Sequence, residues 1–179
     1  MDKFSMQKIH FQKLDASNVM ELQQIAIQTF KETFEAVNTP ENMNLYLNNA
    51  MSLKALSAEL ANKDSLFYFV LVDNEPAGYC KLNFNAAQTE LKKAATAELE
   101  RIYVLQAFQG KQLGKLLLDK AIAIAKMHHK KILWLGVWEN NTKAIRFYQK
   151  NGFTVFDSHA FYLGNDRQTD LLMELKLGD

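Results

Sequence analysis

The first third of the chain combines a helical period with residues that start helices. Apolar residues recur there at steps of mostly three or four: Val19, Leu22, Ile25, Ala26, Phe30, Phe34 and Val37. This period predicts an amphipathic helix with one buried face, capped by Asp15. Thr39-Pro40-Glu41 predicts a second helix start, since it offers a cap, a first-turn proline and an acid near the positive helix end. Ser52 predicts the cap of a third helix.

Strand patterns surround these helices. Residues 7–14 predict a first strand, and two further candidates, Phe67–Asp73 and Glu75–Phe84, are joined at Asn74-Glu75 as in a hairpin. The second half then alternates strands and helices: strand Glu98–Leu105, helix Gly110–Met127, strand Ile132–Trp138, a helix from about Asn141, and strands Phe153–Val155 and Thr169–Leu177. This order predicts a mixed α/β sheet.

Composition narrows the class of protein. The chain has 179 residues, of which 48% are hydrophobic and 23% charged, so we expect one globular domain over residues 1–179. A net charge of +1 gives no general attraction to nucleic acid, and no apolar run is long enough to cross a membrane. The single cysteine, Cys80, excludes an internal disulfide and a cysteine-rich metal site. Because the sequence has no secretion signal, we expect a cytoplasmic protein. We also expect no metal cofactor.

A turn with two glycines joins the strand at residues 98–105 to the next helix. It reads Gln109-Gly110-Lys111-Gln112-Leu113-Gly114. The first N–H groups of a helix have no partner within the helix, and glycines let a backbone approach a pyrophosphate, so this turn is a candidate anion site. The spacing matches neither the Walker nor the Rossmann pattern, and an ordinary strand-to-helix turn is the alternative.

Two motifs at a fixed separation resemble a known superfamily. Ile102-Tyr103-Val104 followed by Gln109-x-x-x-x-Gly114 resembles the acetyl-CoA motif of the GNAT N-acetyltransferases. The second motif, Asn141-x-x-Ala144-x-x-Phe147-Tyr148-x-Lys150-x-Gly152-Phe153, resembles their other signature. The resemblance implies a GNAT-like mixed, mostly antiparallel twisted sheet with a central splayed parallel strand pair, flanked by helices. The sequence departs from the pattern at Gln112, where the family usually has glycine.

Shorter stretches are similar to one bacterial subgroup, the PaiA-type polyamine acetyltransferases. They are Thr29–Phe34, Glu100–Val104, Trp134–Asn140, Phe161–Gly164 and Gln168–Leu171. This similarity implies spermidine or spermine as the acetyl acceptor.

The resemblance also implies which residues bind acetyl-CoA. We expect the backbone of the strand, the turn, and side chains of the following helices to hold it: Ile102, Tyr103, Val104, Gln109, Gly110, Lys111, Gln112, Leu113, Gly114, Lys115, Asn141, Tyr148 and Lys150. Asn141 is equally suited to cap its own helix, and Lys150 to be solvated at a helix end.

The chemistry of an amine acceptor requires proton transfer. An amine with a pKa near 10.4 is about 99.9% protonated at pH 7.4. Forming the free base, which is the nucleophile, therefore costs roughly 4 kcal/mol of free energy at this pH. The family places a catalytic glutamate at the positions of Glu98 or Glu100, and we favour Glu100 slightly; a solvated carboxylate paired with Arg101 is the alternative. Tyr148 matches the tyrosine that protonates the departing thiolate, although a core aromatic on a helix is a common use of tyrosine.

Acceptor recognition has the weakest sequence signal. A polycation calls for carboxylates and aromatic faces, and the candidates are Glu32, Glu35, Glu41, Glu139, Trp138 and Tyr162. The glutamates can equally be exposed helix charges. A protein N-terminus or lysine as acceptor, and a CoA-binding regulatory module without catalysis, are the alternative functions. The sequence allows a monomer or a homodimer.

Overall fold

The computed structural model describes residues 7–178. The strands are β1 (Ile9–Lys13), β2 (Ser65–Val72), β3 (Glu75–Phe84), β4 (Thr96–Val104), β5 (Ile132–Trp138), β6 (Thr154–Leu163) and β7 (Asp166–Lys176). The helices are α1 (Val19–Phe34), α2 (Pro40–Ala50), α3 (Leu53–Ala61), α4 (Leu113–Met127) and α5 (Thr142–Lys150). Within residues 7–178, no helix is long and apolar enough to cross a membrane.

The seven strands form one sheet in the order β1-β2-β3-β4-β5-β7-β6. All neighbouring strands run antiparallel except β4 and β5, which run parallel. The predicted fold class is therefore confirmed, including the central parallel pair.

Helices cover both faces of the sheet. α4 and α5 pack on one face, and α1, α2 and α3 pack on the other, so that two apolar clusters lie on opposite sides of the strands. Neighbouring residues of β3 show the division, because Tyr79 belongs to the cluster beneath α1–α3 and Cys80 to the cluster beneath α4. We call these the α1 face and the α4 face.

The helix starts agree with the sequence with two exceptions. The side chains of Thr39 and Ser52 accept hydrogen bonds from the backbones of Asn42 and Ala55, as predicted for caps. Asp15 caps a short 3-10 turn that precedes α1, and not α1 itself. The helix predicted from Gly110 begins only at Leu113, because the two residues before it that have positive φ, Gly110 and Gln112, are not helical.

The last two strands are longer than predicted. β6 continues to Leu163 where the apolar pattern had indicated a strand only over Phe153–Val155. This strand lies at the edge of the sheet and is mostly exposed, so its residues need not alternate between apolar and polar. Its pairing with β7 forms a long hairpin that ends at Gly164.

Gly78 allows β3 to approach β4 closely near the carboxyl end of β4. A Cβ atom at this position would lie 2.6 Å from the carbonyl oxygen of Tyr103 and 3.2 Å from Cα of Val104. Both atoms belong to the backbone of β4, so they cannot move aside as a flexible side chain would.

We expect Gly78→Ala to destabilise the protein by about 1–3 kcal/mol, because the added methyl overpacks two paired strands. The measurement is urea unfolding. Gly114→Ala is the matched control, since its Cβ would meet only the Phe147 ring, at 3.9 Å. Equal unfolding midpoints for the wild type and both variants would contradict the prediction.

Candidate active site

The parallel strands β4 and β5 separate after a short paired segment. They pair at Thr96–Glu98 with Ile132–Trp134, and from there to their carboxyl ends no pairing joins them. A cleft of about 990 Å³ occupies the gap and is lined by both strands and by residues of α1, α4, α5, β6 and β7. Pairing ends two residues before Gly136, so the separation begins earlier than this glycine.

The open edge of β4 presents backbone groups to the cleft. The N–H of Leu105 donates to the carbonyl of Ala77 at 2.9 Å, toward β3. Because backbone groups alternate in direction along a strand, those of Ile102 and Val104 are directed to the opposite edge. The Val104 carbonyl accepts a hydrogen bond there from Nε2 of Gln109, at 3.3 Å. An extended chain with amide groups would find strand-like partners along this edge.

The start of α4 lines the same cleft. Its first residues, Leu113, Gly114 and Lys115, precede the first intrahelical donor, Leu116, whose N–H bonds to the carbonyl of Gln112 at 3.1 Å. The cap residue Gln112 makes no side-chain capping hydrogen bond, in contrast to the caps of α2, α3 and α5. The backbone amides of this turn are therefore suited to an anion.

Gln112 has φ of 60° and ψ of 13°, the left-handed conformation that glycine adopts without cost. This geometry gives a physical reason for the glycine usual at this position of the motif, and the turn here keeps the conformation with a glutamine. Lys143 donates to Oε1 of Gln109 at 3.1 Å and also lines the cleft. The sequence motif skips this lysine because its position, between Asn141 and Ala144, is variable in the pattern.

Tyr148 and Asn141 also reach the cleft. The Asn141 side chain accepts from the N–H of Ala144 at 3.2 Å, so it caps α5 while lining the cleft. Tyr148 is buried against Phe147 and Phe153, with ring centroids 5.4 and 5.6 Å away. Burial raises the pKa of its phenol, which therefore stays protonated and able to donate at neutral pH.

Glu98 and Glu100 meet at the side chain of Asn83. Its Nδ2 donates to Oε2 of Glu98 at 3.0 Å and to Oε2 of Glu100 at 2.6 Å. The strand is not regular here, because the register shifts so that Glu100 is the extra residue of a β-bulge. The bulge places Arg101 beside Glu100 on the α1 face, with Lys81 opposite it on β3.

The two glutamates have different electrostatic surroundings. Burial alone would raise the pKa of Glu100, but Arg101 and Lys81 hold it below its ordinary value. Glu98 accepts only from neutral donors in the described structure, namely Asn83 and the backbone and hydroxyl of Thr89. Burial raises the pKa of Glu98, and those hydrogen bonds oppose the shift. Of the two, Glu98 is the carboxylate whose surroundings favour the protonated form.

Glu59 of α3 pairs with the same two buried cations, Lys81 and Arg101. It makes two hydrogen bonds to Arg101, at 2.7 and 3.0 Å, and lies 3.2 Å from Nζ of Lys81. Two carboxylates, Glu59 and Glu100, therefore balance two cations inside the protein. The alternative interpretation of Glu100 as a carboxylate paired with Arg101 describes its contacts, although Arg101 is buried and the Glu100 side chain is only 22% exposed.

Opposite α4, the cleft has an aromatic and acidic wall, whose members the sequence indicated only in part. Its rings come from Phe34, Tyr46, Trp138 and Phe161. Trp138 was predicted, whereas His159 and Asp170 of β6 and β7 also line the cleft and were not. Asp170 belongs to the Gln168–Leu171 stretch of the subgroup resemblance, which was the only available signal.

The remaining candidate residues divide between the cleft and the outer surface. Glu32 lies at the cleft, where its carboxylate accepts from the backbone N–H of Gln106 at 2.8 Å. Glu35 lines a separate groove along α1. The cleft lining does not include Glu41, Glu139, Tyr162, Lys111 or Lys150, and Tyr162 is 59% exposed. Lys111 instead donates to the side chain of Gln7.

Comparison with known proteins accounts for this arrangement. A sequence profile of the acetyltransferase (GNAT) family matches residues 20–153. The chain belongs to the GNAT acetyltransferase family. An uncharacterized N-acetyltransferase of Lactobacillus delbrueckii subsp. lactis is 43% identical over 153 residues, which is 86% of this chain and 88% of the relative.

Two further similarities are to proteins of Thermoplasma acidophilum. The spermidine N(1)-acetyltransferase of Thermoplasma acidophilum is 27% identical over 172 residues, or 94% of this chain and 97% of the relative. The crystal structure of the PaiA N-acetyltransferase of that organism, in complex with coenzyme A, matches with a TM-score of 0.77. The match covers 94% of this chain and 99% of the PaiA chain, at 27% sequence identity. These matches confirm the resemblance seen in the sequence.

The protein is thus a GNAT N-acetyltransferase, and its co-substrate is acetyl-CoA. The uncapped start of α4 fits a pyrophosphate, and the open edge of β4 fits the amides of the pantetheine arm. Within residues 7–178, no group of three His, Cys, Asp or Glu side chains is arranged to hold a metal ion.

We expect Glu100→Gln to destabilise the fold by about 3–5 kcal/mol, because Lys81 and Arg101 would keep two buried charges against the single carboxylate of Glu59. Since folding lowers the pKa of Glu100, its contribution is complete above the unfolded-state pKa and is lost as pH falls through the lower folded value. Urea unfolding at pH 7 and at acidic pH measures both effects.

Glu98→Gln serves as the control, because the donors facing Glu98 are neutral. It should lose far less stability than Glu100→Gln. A similar loss in the two variants would show that charge balance is not what Glu100 provides.

Proposed function

We propose that this N-acetyltransferase transfers the acetyl group from acetyl-CoA directly to a primary amine of a polyamine such as spermidine or spermine. The observation that carries the proposal is the wall of the cleft opposite α4, where carboxylates lie among aromatic rings. Similarity over nearly the whole chain to the spermidine N(1)-acetyltransferase of Thermoplasma acidophilum supports the same acceptor class.

The wall suits a chain of methylene groups with positive charges. Phe34 and Trp138 have ring centroids 6.3 Å apart, and Tyr46 and Phe161 have theirs 5.9 Å apart. Such rings contact methylenes through their faces and attract ammonium groups through their quadrupoles. Asp170 and Glu98 add negative charge at the inner end of the same wall.

Direct transfer is supported by the lining of the gap, to which the start of α4 and the aromatic wall contribute from opposite faces of the sheet. Acetyl-CoA would approach from the start of α4, while an acceptor would approach from the aromatic wall. A covalent acetyl-cysteine is disfavoured, because the only cysteine, Cys80, is fully buried and its burial raises its pKa to about 12.

Two protein groups would handle the protons of the reaction. The amine nitrogen forms a bond to the thioester carbon, the C–S bond breaks, and the sulfur takes a proton. We assign proton donation to Tyr148, whose phenol is protonated and lines the cleft. Of the predicted pair of glutamates, we assign proton removal from the attacking nitrogen to Glu98, directly or through water, because Glu100 is held by cations.

Thiol release from acetyl-CoA with a panel of acceptors tests the function. We expect kcat/KM for spermidine and spermine to exceed that for butylamine by more than about tenfold, because a contact to a second ammonium is worth about 1.5–3 kcal/mol. The panel includes lysine-containing peptides and peptides with a free N-terminus. Preference for a peptide would overturn the polyamine assignment, and binding of coenzyme A with no turnover would favour a regulatory module.

We expect Tyr148→Phe to lower kcat by about 10²-fold while leaving the coenzyme A dissociation constant within about threefold, since only the proton donor is removed. Steady-state kinetics and calorimetry measure the two quantities. Tyr68→Phe is the matched control, because Tyr68 lies on β2 outside the cleft. Turnover of Tyr148→Phe equal to that of the control would remove the assigned role.

A further inference from the structure

Three side chains form a row along the acceptor wall: Asp170, His159 and Glu90. Nε2 of His159 lies 3.5 Å from Oδ2 of Asp170, and its Nδ1 is bonded to Oε1 of Glu90. The strands hold the inner pair in place, because His159 and Asp170 are direct partners in the register of β6 and β7. Glu90 comes from the segment between β3 and β4. We call these three residues the carboxylate–histidine row.

The inner end of the row lies over the segment of β5 that pairs with β7 but no longer with β4. A Cβ atom at Gly136 would be 3.3 Å from Oδ2 of Asp170. Gly136 follows the last residue of β5 that pairs with β4, Trp134, by two positions, so Asp170 lies beside the gap in which the thioester would lie. The absent side chain at Gly136 leaves room for an acceptor nitrogen beside this carboxylate.

The carboxylate of Asp170 makes fewer polar contacts than the other carboxylates near the gap. Both oxygens of Glu98 accept hydrogen bonds, from Thr89 and Asn83, and Glu100 is bound to two cations. The polar contact described for the Asp170 carboxylate is with His159. The Asp170 carboxylate can therefore still accept hydrogen bonds from an incoming ammonium group.

The row leads from the interior to solvent. The exposed fraction of the side chains rises from 16% at Asp170 to 26% at His159 and 37% at Glu90. Burial raises the pKa of Asp170, His159 opposes this shift, and the charge of Glu90 adds to it. Tyr46 of α2 is the other titratable group that interacts with Asp170, and β5 presents the uncharged Gly136 and Trp138.

We propose that the carboxylate–histidine row removes the first proton from the acceptor ammonium and passes it to solvent. The step rests on the proposed function, since it needs a protonated amine in the cleft. One N–H bond of the ammonium breaks, its electron pair remains on nitrogen, and an O–H bond forms on Asp170. The proton then passes to Nε2 of His159, and Nδ1 releases a proton through Glu90 to water. Glu98 remains available for the second proton, which leaves nitrogen after attack.

The pH profile of kcat/KM for spermidine separates this role from a structural one. We expect Asp170→Asn to lower kcat/KM for spermidine by about 10²-fold at pH 7. The loss should shrink to less than about threefold near pH 10, where solvent already supplies the free amine. For His159→Gln, kcat/KM should also approach the wild-type value near pH 10, with a smaller loss at pH 7. This variant replaces Asp170→Asn in the test if Asp170→Asn does not fold.

Glu174→Gln is the matched control, because Glu174 lies on the same strand and outside the cleft. Coenzyme A binding by calorimetry reports whether each variant is folded. Losses that stay constant from pH 7 to pH 10, or variants as active as the control at pH 7, would overturn the proposal. If the wild-type protein acetylates no amine at all, the proposed function fails instead, and the two failures remain distinct.

Discussion

The structure depends on the separation of two parallel strands after three paired residues. A backbone edge within a sheet normally bonds to its neighbour, and an unpaired edge away from water is costly. Here the carboxyl ends of β4 and β5 diverge, and the exposed groups of Ile102 and Val104 face a cleft. Apart from the Val104 carbonyl, which accepts from the Gln109 side chain, this edge suits a partner from outside the chain, and the acetyl-CoA co-substrate has amides along its length. The rest of the site is arranged around this gap, with the start of α4 on one side and the aromatic wall on the other.

A layer of buried charge supports one side of the gap. The bulge at Glu100 brings Arg101 beside it, and Lys81 and Glu59 complete two balanced pairs. Removing one member of such a layer leaves a charge in a poorly solvated place, so these pairs stabilise the folded chain around the bulge. The neighbouring Glu98 has neutral partners, and its pKa shifts in the opposite direction from that of Glu100. Two glutamates separated by a single residue thus have opposite electrostatic surroundings.

The acceptor side combines features suited to a flexible polycation. Rings give large contact surfaces without requiring a fixed orientation, and Asp170 and Glu98 give charge at the inner end. The carboxylate–histidine row adds a path for protons that an ammonium acceptor must lose. Since acetylation of an ammonium ion removes two protons from one nitrogen, and the thiolate consumes only one, the site has to release a net proton to water. A row whose exposure increases outward meets that requirement.

The amino-acid sequence by itself determined most of the elements, the family and the co-substrate. Some features depend only on neighbours along the chain and can therefore be predicted from the sequence. They are the helical periods, the caps at Thr39 and Ser52, and the two motifs around Gly114 and Tyr148. Only the tertiary structure decided how charges and long-range partners combine. It extended the edge strand β6, tied Glu100 to its cations, excluded Tyr162 from the cleft lining and brought His159 to Asp170. Each of these outcomes depends on which strands are neighbours and on how deeply a side chain is buried, and neither quantity is encoded in the spacing of residues along one strand.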